Sequence, residues 1–476
     1  MLDICKNHFE YLEKHNIRYC HWKSNEHLDA AVNGKTDLDV LIHSDDKAEF
    51  EDSLTKFEYK EILSPPNKQF PGLADYLGFD KETGTFTHLH VHYRLIMGQK
   101  YIKNHWLPLE DLFFDNLIVK DGVYIPRPEI ELILLVIRAH VKTDMISLAK
   151  QAIKNTYTNL YTAFPTDIES EFKHLIANSD LDEVKRLLNE TKLPLEFSRL
   201  TQFFDRISND ALKFNHIFSL QRYILKALKP YRRATGLSVY FSYALFYINS
   251  FHMVNQFRKL KKKSLIGEGK VFAIVGADGS GKSTLSKDIS KWLSWKMTTN
   301  NYYYGIPKTK VSASFVFFMR VFSKLKLNYA DRLTKALFWV YVAKVRSNVS
   351  HSTMVDQIEG QIALTDRFPL KDFHTMKEPM DGPRLQNDFD DSLKYFAKKE
   401  KLIYRTFNQP DEIFVLQVDI DELRKRKTDL SLEDHIVKAN AVNAITEKDN
   451  NITLINANRP YEEVVLDIKR RIWSAL

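Results

Sequence analysis

Residues 271–284 read VFAIVGADGSGKST, and no other stretch restricts the fold so tightly. A β-prone apolar run ends in a glycine-rich loop, and the loop ends in Lys-Ser-Thr where a helical pattern begins. Gly276, Gly281, Lys282 and Ser283 meet the spacing G-x-x-x-x-G-K-[ST]. Glycine is needed there so that backbone N–H groups can wrap a phosphate with no Cβ in the way. The helix that follows adds the positive end of its dipole. Gly276, Gly279, Ser280, Gly281, Lys282, Ser283 and Thr284 are therefore the expected phosphate-binding set. Lys282 is expected to bridge the two outer phosphates of ATP, and the Ser283 hydroxyl to ligate Mg²⁺. One residue runs against the pattern: Asp278 puts a carboxylate inside a loop built for anions.

The surroundings fit a parallel sheet. Strand patterns in KVFAIVG, NYYYGI, QIALTD, EIFVLQV and ITLINA alternate with helical stretches across 266–476, which predicts an α/β region with helices on both faces. ALTDRFP places Asp366 and Arg367 at the end of one such strand, the ligand edge of an open parallel sheet. Asp366 can hold the water shell of a Mg²⁺ ion there, and Arg367 can face a phosphate. The run DELRKRKTDL, 421–430, carries Arg424, Lys425, Arg426 and Lys427. It reads either as a solvated helix face or as a lid whose cations close over a phosphoryl group.

Upstream, 126–265 is expected to be almost wholly helical. It opens at RPEIELILLVIRAHVK, with proline at a helix start. It closes in RKLKKKSLIGEGK, a charge run followed by two glycines and the clearest boundary in the chain. Residues 1–125 mix helix and strand, giving three regions: 1–125, 126–265 and 266–476. Within the helical region, GLSVYFSYALFYINSF (236–251) lies between basic flanks. Its apolar run is shorter than the ~20 residues of a spanning helix, so it reads as a buried or amphipathic helix, with peripheral membrane contact as the alternative.

The net charge of +8 suits an anionic partner such as a nucleotide or an anionic glycan, but over 476 residues it is too thin to favour nucleic acid. Two cysteines, Cys5 and Cys20, support neither a disulfide framework nor a cysteine zinc site. With no secretory pattern in the charged first helix, a cytoplasmic protein is expected.

GADGSGKST, then DRFP, then PDEIFVLQV with its basic segment, together resemble the thymidylate kinase family of P-loop nucleotide kinases over 266–476. The resemblance implies an ATP- and Mg²⁺-dependent kinase. In it Asp278 contacts the acceptor nucleotide's sugar, and Asp366 and Arg367 serve magnesium and the acceptor phosphate. Phe368 and Pro369 stand where that family often has Tyr or His, and EPMDGPRL (378–385) resembles a divergent branch from bacterial surface-polysaccharide gene clusters. Both departures bear on the acceptor, which is a nucleoside monophosphate or a sugar. A polyphosphate donor stays open, since polyphosphate-using kinases also carry an acid in this loop.

In GKTDLDVLI, Asp37 and Asp39 stand two apart on a predicted strand, so both side chains face one way. Such a pair can share Mg²⁺ ions for nucleotidyl transfer. With HWKSN upstream, the stretch resembles the nucleotidyltransferase superfamily, which implies an α+β domain. That superfamily usually supplies a third carboxylate from a later strand, and His90 of HLHVHYRL stands in its place. The domain is then either catalytic or a ligand-binding remnant. His88, His90 and His92 alternate on one strand face, which also permits a transition-metal site. Three functions follow: a kinase, a bifunctional enzyme with an N-terminal nucleotidyltransferase, or a non-enzymatic ATP-dependent switch.

Overall fold

The structure is a computed structural model that describes residues 1–99, 102–143, 164, 166–234, 262–370, 382–385, 393–426, 432–446 and 451–476, with isolated helical positions at 239, 241, 244 and 248. It divides into two compact units, Met1–Lys261 and Lys262–Leu476. The division falls in the basic run expected to be a boundary. Most of 236–251, the 378–381 part of EPMDGPRL, and Lys427 lie outside the described residues.

The second unit is built on five parallel strands, β6 (Lys270–Gly276), β7 (Thr299–Tyr303), β8 (Ile362–Asp366), β9 (Glu412–Gln417) and β10 (Ile452–Asn456). They lie in the order β7-β8-β6-β9-β10. Val271–Gly276, Ile362–Thr365 and Ile413–Leu416 are buried at every successive position, so both faces of the sheet are covered. The helices that cover it include α8 (Lys282–Leu293), α9 (Lys310–Lys324), α10 (Asn328–Ile358), α11 (Lys394–Tyr404), α12 (Ile420–Arg426), α13 (Leu432–Asn443) and α14 (Tyr461–Ala475). α8 buries Leu285, Ile289 and Leu293, one residue per turn. This is the expected α/β parallel sheet. β7 starts before NYYYGI, at Thr299, and ends at Tyr303, after which the Tyr304 N–H still reaches the Asp366 carbonyl at 3.0 Å.

The first unit has a mixed sheet of β1 (Tyr19–His21), β2 (Leu38–Ile42), β3 (Lys60–Leu63), β4 (Leu73–Asp80) and β5 (Thr85–His92), in the order β1-β2-β5-β4-β3. β2 and β5 run parallel; the other neighbours are antiparallel. THLHVHYRLI does not continue as one strand. It breaks at Tyr93–Arg94, where the Ile96 N–H closes on the Arg94 carbonyl at 2.8 Å, and Leu95–Met97 pairs instead with His105–Leu107. Helix α1 (Asp3–Lys14) and helix α2 (Lys47–Lys56) pack on this sheet.

The expected helical region is present as α3 (Pro128–Lys142), α4 (Thr166–Ala177), α5 (Leu181–Glu190), α6 (Phe197–Ser208) and α7 (Phe214–Ala227). Its side chains share one core with Cys20, Trp22 and Leu41 of the sheet region. The change near residue 125 is thus a change of element type within one unit. α3 is apolar on almost every side from Ile130 to Val141, the mark of a helix buried all round. Among the described residues, no helix is long and apolar enough to cross a membrane.

Several histidines are locked into the first unit. His8 lies among the rings of Phe50, Phe57 and Tyr59, and burial pushes its pKa down to about 3. Burial, helped by Arg232, lowers His105 to about 4, and burial lowers His140 to about 4. Each is neutral when folded, whereas a solvated histidine titrates near ~6.5. Below that pH the unfolded chain binds protons the folded one refuses, so stability is full above about 6.5 and is lost as pH falls toward 4. The slope is at most about 1.4 kcal/mol per pH unit for each histidine. Urea midpoints measured from about pH 7 down to about pH 5 should therefore fall steadily; a flat or rising midpoint contradicts the assignment.

Candidate functional site

β6 is the central strand of its sheet, and it delivers residues 277–281 to the sheet's C-terminal edge, where the order of connections switches sides. The loop's glycines serve different needs. A Cβ on Gly276 would lie 2.7 Å from Ser280 Oγ and 3.1 Å from Leu416, so this position needs room. Gly279 and Gly281 have φ of 90° and 91°, a region where only glycine is unstrained. The space beside Gly281 is open, with no atom within 4 Å of where a Cβ would stand.

Lys282 begins α8 and is 7% exposed, with its ammonium donating to the Ala277 carbonyl at 2.6 Å. The cation is thus held across the mouth of the loop. Ser283 and Thr284 follow it in the first helical turn, both exposed, where backbone N–H groups have no intrahelical partner.

Asp366 ends β8 directly beside β6, opposite Ile274. Its Oδ1 is buried and finds no hydrogen-bond partner, as does Ser280 Oγ. Burial raises the Asp366 pKa, while the nearby Lys282 and Arg367 charges pull it back. A carboxylate oxygen left without a donor beside a phosphate loop fits a cation ligand better than a structural group. Arg367 has a φ of +64°, strained for a residue with a long side chain. Its backbone strain aims the side chain back at the loop, and Arg367 Nη2 donates to Asp278 Oδ1 at 3.0 Å. The acid in the phosphate loop and the arginine after β8 therefore form one pair.

Arg424 and Arg426 sit on α12, which follows β9 at the same edge. Arg426 donates to Glu422 at 3.0 Å and to the Ala457 carbonyl at 3.2 Å, and Arg424 lies 3.6 Å from Asp421. Both therefore have local partners on or beside their own helix.

One part of this region was not foreseen from sequence. Glu400 of α11 is fully buried and accepts the backbone N–H groups of Arg384 (3.1 Å) and Leu385 (2.9 Å). Arg346 of α10, 2% exposed, donates to the Tyr404 hydroxyl at 2.5 Å. Glu400 thus ties down the end of EPMDGPRL, and the Arg384 guanidinium lies 5.2 Å from the Trp339 ring. Lysines on both sides of Glu400 gave it the look of a solvated face, and only its burial reveals the role.

In the first unit, Asp39 lies on β2 and Asp37 just before it, and the two take different partners. Asp37 Oδ1 lies 2.8 Å from His88 Nδ1, and Asp39 Oδ1 lies 2.8 Å from Lys23 Nζ. HWKSN carries that lysine. Its shape is set by buried Glu131, which accepts from the Asn25 backbone at 3.0 Å and from Asn25 Nδ2 at 2.8 Å. Asp75 of β4, which the sequence did not single out, lies opposite His90 and accepts from His90 Nδ1 at 2.7 Å.

No protein-family profile matches the chain. It is similar to YghR of Escherichia coli, named an uncharacterized ATP-binding protein, at 22% identity over 217 residues, covering 42% of this chain and 86% of YghR. YghS of the same organism, also named an uncharacterized ATP-binding protein, is 24% identical over 226 residues, covering 44% of this chain and 94% of YghS. Among solved structures, a deoxyadenosine kinase from M. mycoides with bound dATP aligns at 13% identity with a TM-score of 0.29, covering 43% of this chain and 98% of that one. The fold of the second unit rests on its own strand order and on its glycine loop, which together make it a P-loop α/β unit.

Proposed function

We propose that residues 262–476 act as an ATP-dependent phosphotransferase that passes the γ-phosphoryl group to a small acceptor. The preferred acceptor is a nucleoside monophosphate, with thymidylate suggested by resemblance. One observation carries this reading: a phosphate loop, a buried carboxylate oxygen without a partner on Asp366, and the Asp278–Arg367 pair converge at one sheet edge. The similarity to proteins named as ATP-binding supports the donor.

The loop N–H groups and the first turn of α8 hold the donor phosphates, and Lys282 exchanges the Ala277 carbonyl for phosphate oxygen. Ser283 and Asp366 are the residues that would hold Mg²⁺, whose charge neutralises the phosphate oxygens when it is bound. Arg367 faces the acceptor phosphate. Asp278 fixes the Arg367 guanidinium by a charge-assisted bond, and the same carboxylate is the group proposed to meet an acceptor hydroxyl. Arg424 and Arg426 are candidates to close over the transferring group, which would require them to leave Asp421 and Glu422.

Two variants separate the donor side from the acceptor side. Lys282→Ala should lower phosphoryl transfer by about 10²–10³-fold, read with labelled ATP and a panel of nucleoside monophosphates and sugars. Asp278→Ala should cut the acceptor kcat/KM by about 10–100-fold, while ATP affinity by titration changes less than about threefold. A collapse of ATP affinity in Asp278→Ala would place the acid on the donor side. No labelled product with any acceptor in the panel sinks the kinase reading, and a sugar product replaces the nucleotide acceptor.

A further inference from the structure

A second cluster of chemistry lies in the first unit, away from the phosphate loop in sequence and in character. Asp39 on β2 pairs in register with His90 on the parallel neighbour β5, and His92 lies two residues along the same face. One ligand atom from each of Asp39, His90 and His92 falls within 4.8 Å of the others. We propose that these three residues form a divalent transition-metal site with a two-histidine, one-carboxylate donor set.

Three observations point the same way. His92 is 1% exposed, and neither of its ring nitrogens has a hydrogen-bond partner. A buried imidazole with two orphaned nitrogens is costly unless something takes a lone pair.

The second observation concerns the surrounding shell. His90 Nδ1 lies 2.7 Å from Asp75 Oδ1, and Ser64 Oγ donates to Asp75 Oδ2 at 3.0 Å. With Nδ1 donating to a carboxylate, His90 keeps the Nε2 lone pair for a ligand, which is the carboxylate–histidine–metal arrangement. His90 and Asp75 also line a cleft of ≈ 350 Å³ with Ser64, Lys68 and Phe70.

The third is donor type: the set offers one carboxylate and two imidazoles. Magnesium prefers oxygen ligands and a water shell, whereas imidazole suits zinc, iron and their neighbours.

The test uses the full chain, stripped with chelator and titrated with Zn²⁺ in the absence of nucleotide. One equivalent should bind, and X-ray absorption at the zinc edge should show two imidazole nitrogens at about 2.0–2.1 Å. His92→Ala should weaken binding at least tenfold, and Asp75→Asn, which removes the orienting carboxylate, by about 10–100-fold. His105→Ala, at a buried histidine outside the cluster, should leave it unchanged. If His92→Ala does not fold, Asp39→Asn at a partly exposed position must show the same weakening. Absence of zinc binding, a metal shell without imidazole, or unaltered affinity in Asp39→Asn and Asp75→Asn each overturns the proposal.

Discussion

The register between β6 and β8 is the constraint on which the second unit's site depends. Ile274 pairs with Asp366, so the end of β8 falls level with the start of the glycine loop. A slip of one residue would turn the Asp366 side chain to the other face of the sheet. Burial supports the register, since Val271–Gly276 and Ile362–Thr365 are buried and a slip would draw Lys270 or Asp366 toward the core. The same pairing carries Arg367 past the strand end, where its positive φ turns it toward the loop.

That geometry explains the acid in an anion-binding loop. An isolated carboxylate at Asp278 would repel donor phosphate and lower the loop's positive potential. Paired with Arg367 at 3.0 Å, it contributes no net charge to the loop's mouth and fixes a guanidinium that a flexible side chain would otherwise hold only at an entropic cost. Lys282 on the opposite side of the loop completes the pattern, and its hold on the Ala277 carbonyl keeps the ammonium buried yet hydrogen-bonded. The polar groups left without partners, Asp366 Oδ1 and Ser280 Oγ, lie at the place where a cation and a phosphate are expected.

How much of this was legible follows from how local each feature is. The strand, loop and helix of 270–293 are encoded in contiguous residues, and glycine, lysine and serine there have few other uses, so the local pattern and the structure agree closely. Asp366 and Arg367 were legible because a strand end predicts an edge. The Asp278–Arg367 contact spans 89 positions and depends on a pairing no local pattern reports. Asp75 escaped notice for the same reason: β4 carries little alternation, and only its antiparallel register with β5 places the carboxylate against His90. Glu400 was hidden by its lysine neighbours. The apparent boundary near 125 reflects a real change from strand to helix, but cores are defined by contact rather than by element type, and Cys20, Trp22 and Leu41 share theirs with the helices.

The D-x-D of β2 shows why a motif and a site are different things. Strand alternation predicts Asp37 and Asp39 on one face, but the strand starts at Leu38, and what each carboxylate binds is set by its neighbours. Asp37 meets His88, and Asp39 meets Lys23 and the His90–His92 edge. Hard cations such as Mg²⁺ favour several oxygens together; here the described residues around Asp39 supply one carboxylate and two imidazoles. The phosphate loop presents the contrary case, in which Ser283 and Asp366 offer oxygen alone. Ligand type rather than motif spacing therefore separates the two proposed centres.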